Sequence, residues 1–323
     1  MIDKERATSL RMPPDKPRIP LENYFLSLKQ NIKLLGVSDI IEEWHAREFD
    51  SYSRAARAYG ISSSCYRTYI RGEKGLSIWL LKTLFSKNRQ MLDTIYMRAN
   101  YCQVGTDALR IPRYLSPRLA YYIGYLQGDG FIEPSQKRVA FFDQNLEQLQ
   151  LINALTKSIF GRSGRFYKRK NENTNCLYIG SVFVNSFLSQ VFRIKRGKRK
   201  FNQIPPKILL NQELLRWYIC GLFDAESAMP KQPLTKKSTY IDIAMKDTKL
   251  IKKLKKLLMQ RFGVFAYGPY SRKVKVYKTL KINPELELRI RKHSEIKKFL
   301  SNIGTIHPDK IKRKESILNL LGP

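Results

Sequence analysis

Residues Tyr121 to Gly130 read YYIGYLQGDG, and Tyr218 to Ser227 read YICGLFDAES. Small residues fall at Gly124 and Gly128 in the first stretch and at Gly221 and Ala225 in the second. An acid follows at once in each, Asp129 and Glu226, 97 positions apart. Both stretches begin as helices: Ser116 can cap the first with Pro117 in its first turn, and Asn211 the second with Glu213 in its first turn. Residues four apart share a helix face. The spacing therefore predicts two helices, each notched by small residues just before a terminal carboxylate.

Helix axes ordinarily lie about 8–10 Å apart, and small residues at this spacing allow closer approach. Packed notch to notch, the two helices would bring Asp129 beside Glu226, with Gly130 and Ser227 turning away into strands. Two like charges about 4 Å apart repel by roughly 4 kcal/mol at an effective dielectric near 20, and two helix C-termini add negative partial charge. The pair becomes favourable around divalent cations, which take oxygen ligands from carboxylates, carbonyls, water and phosphate. Cations between two carboxylates and a phosphodiester are the parts of metal-assisted phosphate hydrolysis. Either motif alone reads as a plain turn; the matched pair does not.

The match continues downstream. Asn145 to Gly161 and Asp247 to Gly263 have equal length, each with a capping residue, apolar residues at helical spacing and a closing Phe-Gly. Phe187-Leu188-Ser189 recurs as Phe299-Leu300-Ser301. Three matches in one order point to a duplication, each copy reading helix, two strands, helix, two strands, helix.

The strands alternate with period two. Lys273, Lys275, Tyr277, Thr279 and Lys281 fall on one, basic face, and Val274, Val276, Lys278, Leu280 and Ile282 on the other, mostly apolar one. The first copy has Arg165, Tyr167 and Arg169; Arg138, Lys237 and Arg272 extend the basic set. One such face alone is as readily a solvated surface. The whole chain decides the matter: 60 Lys and Arg stand against 27 Asp and Glu, a net charge of +33 over 323 residues. That excess favours a polyanionic partner.

The remaining composition mostly excludes. At 43% hydrophobic residues the chain is a folded protein. No apolar run reaches the roughly 18 residues that span a bilayer, and no secretory signal opens the chain. Cys65, Cys102, Cys176 and Cys220 lie far apart with no zinc-like spacing, as expected of reduced thiols. The expected location is the cytoplasm, with the nucleoid, or an organelle.

Residues 1–20 are rich in proline and charge and read as a flexible arm. Residues 21–108 read as a helical domain. Within it Tyr52 to Gly72 resembles a helix-turn-helix: Ala55-Ala56 for a close crossing, Gly60 at the turn, and Ser62 capping a second helix that carries Ser63, Ser64, Arg67 and Arg71. An ordinary helical hairpin with basic faces is the alternative. Gly105 to Pro117 reads as a linker, followed by one repeat over 109–210 and another over 211–323.

Tyr122–Gly130 and Ile219–Ser227 resemble the two LAGLIDADG motifs of the homing endonuclease family in its single-chain, two-motif form. The resemblance covers roughly residues 110 to 323. It implies an α+β fold of two pseudo-symmetric αββαββα repeats forming a DNA-binding saddle. It also implies a monomeric, site-specific endonuclease, encoded within an intron, that cuts both strands of a long asymmetric site and leaves short 3′ overhangs. Mg²⁺ is the implied cofactor, with Mn²⁺ able to substitute. Carried over residue by residue, Asp129 and Glu226 bind metal together with the carbonyls of Gly128 and Ala225. A basic residue after the last helix of each repeat stands near the scissile phosphates: Lys312, and in the first repeat Lys198 or Lys200. Gln144 and Lys246 are implied to position water or phosphate.

Two positions depart from the motif. Gln127 replaces its first Asp, which Asp224 keeps, and Ser227 replaces its final Gly. With no His-Asn end, the chain is not expected to be an intein. Two further readings use the same scaffold: a maturase that binds intron RNA, and a non-catalytic transcription regulator acting through the helix-turn-helix.

Overall fold

The computed structural model describes residues 17–19, 21–27, 32–85, 89–135, 137–168, 173–197, 203–231, 235–274 and 283–322. They fall into two compact units, one of Arg18–Tyr114 with Thr156–Arg162, the other of Leu115–Leu155 with Ser163–Pro323.

The first unit contains α1 (Glu22–Ser27), α2 (Ser38–Glu48), α3 (Tyr52–Ala58), α4 (Ser63–Ile70), α5 (Ile78–Phe85) and α6 (Arg89–Arg98). Two capped helices, α3 and α4, form over Tyr52–Ile70, an outline that a helix-turn-helix and an ordinary helical hairpin share. Ser51 and Ser62 accept N-cap hydrogen bonds from the amides of Arg54 and Cys65 at 3.3 and 3.2 Å. Gly60 takes the left-handed conformation between the helices, at φ +65°. Ala55 and Ala56 are buried. Residues 21–108 also hold a sheet that helical periodicity does not disclose. It runs β2-β1-β3-β4, with β1 Lys33–Leu35, β2 Leu76–Ser77, β3 Tyr101–Val104 and β4 Asp107–Arg110. The stretch expected to be a linker thus supplies a strand, paired with β3 through Val104↔Asp107 and Cys102↔Leu109.

The two repeats, which make up the second unit except for the end of α8 (Leu146–Phe160), have the α+β architecture the sequence implies. The first copy runs α7 (Pro117–Asp129), β5 (Gly130–Ile132), β6 (Arg138–Asp143), α8 (Leu146–Phe160), β7 (Arg165–Lys168), β8 (Asn175–Gly180) and α9 (Val182–Val191). After α10 (Pro206–Leu210), the second runs α11 (Gln212–Glu226), β9 (Ser227–Ala228), β10 (Ile241–Met245), α12 (Thr248–Phe262), β11 (Tyr267–Val274), β12 (Asn283–Ile290) and α13 (His293–Asn302); α14 (Pro308–Leu321) follows. Each copy makes a four-stranded antiparallel sheet, β5-β6-β8-β7 and β11-β12-β10-β9. Asn145 and Asp247 cap α8 and α12 through the amides of Gln148 and Leu250. In β10, Ile241, Ile243 and Met245 are buried while Asp242 and Ala244 are half-buried on the other face, the alternation of a one-sided sheet.

The core lies along α7 and α11. Tyr121, Tyr122, Ile123 and Tyr125 of one helix and Tyr218, Ile219 and Leu222 of the other are buried. A Cβ built on Gly124 would lie 2.1 Å from the carbonyl oxygen of Tyr218, and one on Gly221 would lie 2.2 Å from that of Tyr121. The contact is reciprocal, so the helices meet backbone to backbone at equivalent turns. Only glycine fits there.

Candidate active site

The backbone contact settles where α7 and α11 end. Gly128 faces Ala225: a Cβ on Gly128 would be 2.4 Å from that of Ala225 and 2.9 Å from Cγ of Glu226. Asp129 and Glu226 close the two helices, and both line one cavity of about 400 Å³ with Gln127, Gly128, Met245 and Lys246. A second cavity of about 380 Å³ is lined by Asp129, Asp143, Gln144, Asp224, Ala225, His307 and Lys310. The repeat relates the two: Gln127 and Gly128 correspond to Asp224 and Ala225, and Gln144 to Lys246. Each cavity combines the motif of one copy with the end of the second strand of the other.

Burial pushes the Asp129 carboxyl up to about 8; Glu226 and Asp143 push the same way, and Lys310 opposes them. Burial first, and the neighbouring acids second, thus disfavour the ionised form of this carboxyl unless a cation offsets them. The chemistry of the donors fits a hard divalent cation: carboxylate oxygens, with Gly128 lining the first cavity and Ala225 the second. Among the described residues no three His, Cys, Asp or Glu side chains group so as to hold an ion unaided. The two acids thus need backbone, water or phosphate oxygens to complete a shell.

Sequence reasoning missed three groups. Lys310, not Lys312, turns toward the acids. Its Nζ donates to the carbonyls of Phe223 and Asp224 at 2.9 and 2.7 Å and to Ser227 Oγ at 2.9 Å. It thereby closes the C-terminus of α11, where a cation is favoured. Burial lowers its ammonium below the usual lysine range, against the pull of Asp224, Asp129 and Asp143. Lys312 lies exposed and lines neither cavity. Asp143 accepts from Tyr125 Oη at 2.5 Å, from the Asn145 amide at 2.7 Å and from His307 Nε2 at 3.3 Å. These partners hold its carboxyl below the usual range although burial, the largest influence, raises it. Met245 stands at the equivalent place in the other copy. Asp143 and His307 are 164 residues apart, and no motif joins them.

The remaining candidates lie as follows. Gln144 is exposed, its carbonyl accepting from Asn175 Nδ2, and Lys246 is exposed 4.0 Å from Glu285. Arg138 pairs with Glu133 at 2.7 Å. Arg165 and Tyr167 are exposed on β7, and Lys237 is exposed in a short 3₁₀ turn, Lys236–Ser238. Arg272 and Lys273 fall on β11. Lys198, Lys200, Arg169, Lys275, Tyr277 and Lys281 lie outside the described residues. In the first unit, Ser63 Oγ donates to Ser53 Oγ at 3.4 Å, Ser64 lies 3.1 Å from Ser62 Oγ, Arg67 stacks over Tyr52 at 5.5 Å, and Arg71 is 3.7 Å from Glu73. Among the described residues no helix is long and apolar enough to cross a membrane.

Residues 213–304, within the second copy, match the family model of the LAGLIDADG-like domain. Among curated proteins, it is 29% identical over 216 residues to the isomerizing glutamine–fructose-6-phosphate aminotransferase of Methanocaldococcus jannaschii, covering 66% of this chain and 18% of that protein. The chain spans less than a fifth of the length of the curated relatives it matches. Among solved structures, full-length DUF199/WhiA from Thermatoga maritima aligns at 13% identity with a TM-score of 0.44, over 64% of this chain and 61% of that one. The homing endonuclease I-DmoI in complex with DNA and Mn aligns at 16% identity with a TM-score of 0.39, over 58% of this chain and 96% of that one.

Proposed function

We propose that the chain is a divalent-metal-dependent endonuclease that cuts both strands of a long, asymmetric DNA site as a monomer. The observation that carries this reading is the reciprocal approach of Gly124 and Gly221 to the opposite backbones, which sets Asp129 and Glu226 along one cavity. Two half-buried acids on one cavity, with the Asp129 carboxyl raised by burial and by Glu226, are costly to keep for structure alone.

Asp129 and Glu226 would hold Mg²⁺ with the carbonyls of Gly128 and Ala225. The cation would supply positive charge against the phosphate and acidify water. The protein's own residues do the rest. Gln144 and Lys246, at equivalent places in the two cavities, orient water and phosphate. Lys310 fixes the end of α11 and with it the carbonyls around Glu226. The exposed arginines and tyrosines of the strands contact DNA, and Arg67 and Arg71 add contacts from the first unit.

The test is a cleavage selection. The full chain is incubated with a plasmid pool carrying randomised duplex inserts in Mg²⁺, beside Asp129→Asn. The expected result is linear product with one enriched site, absent from the variant and from EDTA. Equal cleavage by the variant, or none by the wild type under any divalent cation, would sink the reading.

A further inference from the structure

Three arginines, two on strands and one just past the end of β12, share one local device. Arg138 donates through Nε and Nη2 to Glu133 Oε1 at 3.2 and 2.7 Å, and its guanidinium lies 5.4 Å from the centre of the Tyr178 ring. Arg289 donates to Glu287 at 3.0 Å and lies 5.3 Å from the Tyr270 ring. Arg291 donates to Asp242 at 3.0 Å and lies 4.7 Å from the Tyr240 ring. In each case the carboxylate is the more buried partner: side-chain exposures are 55 and 22% for Arg138 and Glu133, 44 and 6% for Arg289 and Glu287, and 39 and 15% for Arg291 and Asp242.

Stability does not explain the arrangement. A half-exposed ion pair contributes little to folding, and burying a carboxylate to gain one costs more than leaving it in water. The device has a different effect. A planar guanidinium gripped at one edge by an acid and along one face by a ring has lost its rotamer freedom. The acid uses one or two of its five N–H donors; Arg289 Nε is itself buried, and the remaining terminal N–H groups keep a fixed direction.

That direction is toward the outer face of the sheets. Ile241, Ile243 and Met245 turn inward. Asp242 lies opposite Arg289 in register and therefore shares its face. In the first copy Val139, Phe141 and Ile179 are buried, while Arg138 is exposed and Tyr178 half-exposed. Fixed bidentate donors on a ribbon that fits the major groove match guanine, which presents N7 and O6 side by side there.

Resting on the reading of the chain as a DNA-binding endonuclease, we propose that Arg138, Arg289 and Arg291 are its preset guanine readers, with Glu133, Glu287 and Asp242 as positioning residues. The spacing follows from the strand. Arg289 is on β12 and Arg291 one residue past its end; with the chain continuing at the antiparallel rise they stand about 7 Å apart, or two steps of a duplex that rises about 3.4 Å per base pair. Their guanines are separated by one base pair. The guanine read by Arg138 belongs to the other half of the site.

Binding selection of the full-length protein on a pool of randomised duplex DNA, in metal-free buffer, tests this. The expected site holds two guanines separated by one base pair in one half and a further guanine in the other. Arg289→Lys and Arg291→Lys keep the charge and lose the fork. Each should reduce the preference at one of the paired positions by roughly ten- to a hundred-fold, with unchanged melting temperature and salt slope. Arg138→Lys should do so in the other half, and Glu287→Gln should weaken the Arg289 position. Guanines kept undiminished by all three lysine variants, or a selected site without the spaced pair, would overturn the assignment. Failure of the wild type to select any sequence would instead count against DNA reading as a whole.

Discussion

The hydroxyl of Tyr121 on α7 donates to Oδ2 of Asp224 on α11 at 2.8 Å, and the equivalent Tyr218 on α11 donates to Oε1 of Gln127 on α7. The two bonds cross the helix pair in opposite senses, and each occupies the position before a small residue and its acid. Asp224 does more than its counterpart. It also accepts from Thr305 Oγ1 and from the amides of Ile306 and His307 at 3.1 Å, fixing the turn that starts α14. Asp224→Ala would strip Tyr121, Thr305 and Ile306 of this acceptor, leave the His307 amide with Thr305 Oγ1 alone, and remove the acid whose charge acts most strongly on Lys310. The expected loss is about 3–5 kcal/mol, read by urea unfolding. Gln127→Ala, with fewer partners, should cost less.

Gly124→Ala is a sharper probe of the helix contact than any large residue. Its single methyl would meet a carbonyl oxygen at 2.1 Å, and overpacking of this kind costs about 1–3 kcal/mol. Gly221→Ala should behave alike. An unchanged melting temperature in either would show that the backbones do not meet there.

Asp129→Asn and Glu226→Gln should each abolish cleavage with little effect on binding of the selected site. Asp129 has a further signature in metal-free protein. Its folded carboxyl holds a proton up to about 8, more tightly than the unfolded one. Its contribution to stability is full at low pH and declines as pH rises from about 4 to 8. Asn carries no such decline. In EDTA the variant should overtake the wild type in melting temperature above pH 8, and Mg²⁺ should raise only the wild type.

Asp242 gives a second pH dependence, in recognition. Burial raises its carboxyl to about 6, opposed by Arg291 and assisted by Glu287; Arg289 faces it across the ladder. As the folded group binds its proton more tightly than the unfolded one, stability declines between about pH 4 and 6 and is level above. Below pH 6 the protonated acid releases Arg291. Base preference at the Arg291 position should fall between pH 7 and 5 and stay flat in Asp242→Asn.

Arg67→Ala and Arg71→Ala address the first unit. For every phosphate that a substitution leaves unneutralised, the slope of log K against log salt should fall by about 0.9, and the footprint should shorten at one end only. Unchanged slopes and footprints would remove this helix from the DNA.

The sequence disclosed what local spacing and duplication encode. The notch at Gly124 and Gly221, the acids after it and the caps at Asn145 and Asp247 each depend on residues within one turn of each other, and each occurs twice. What it concealed depends on distant partners. β1 and β2 are three and two residues long and pair Lys33 with Ser77, too short for a period of two to show. Lys310 and Lys312 belong to one basic run; only the phase of α14 from Pro308 decides which of them reaches the acids. Asp143 meets His307 through the second copy, and Arg289 gains its meaning from the buried Glu287 two positions earlier on the same strand face.

The seam of α7 and α11 has a consequence for how such a protein can change. The acids are carried by the helices, and the arginines by the strands. On the endonuclease reading proposed above, the interval between the two cuts would be set by the glycine contact, and the bases chosen would be set by the sheets. Strand faces could then drift to new targets while the length of the single-stranded ends stayed constant. A lineage of such chains would vary in address and keep one stagger.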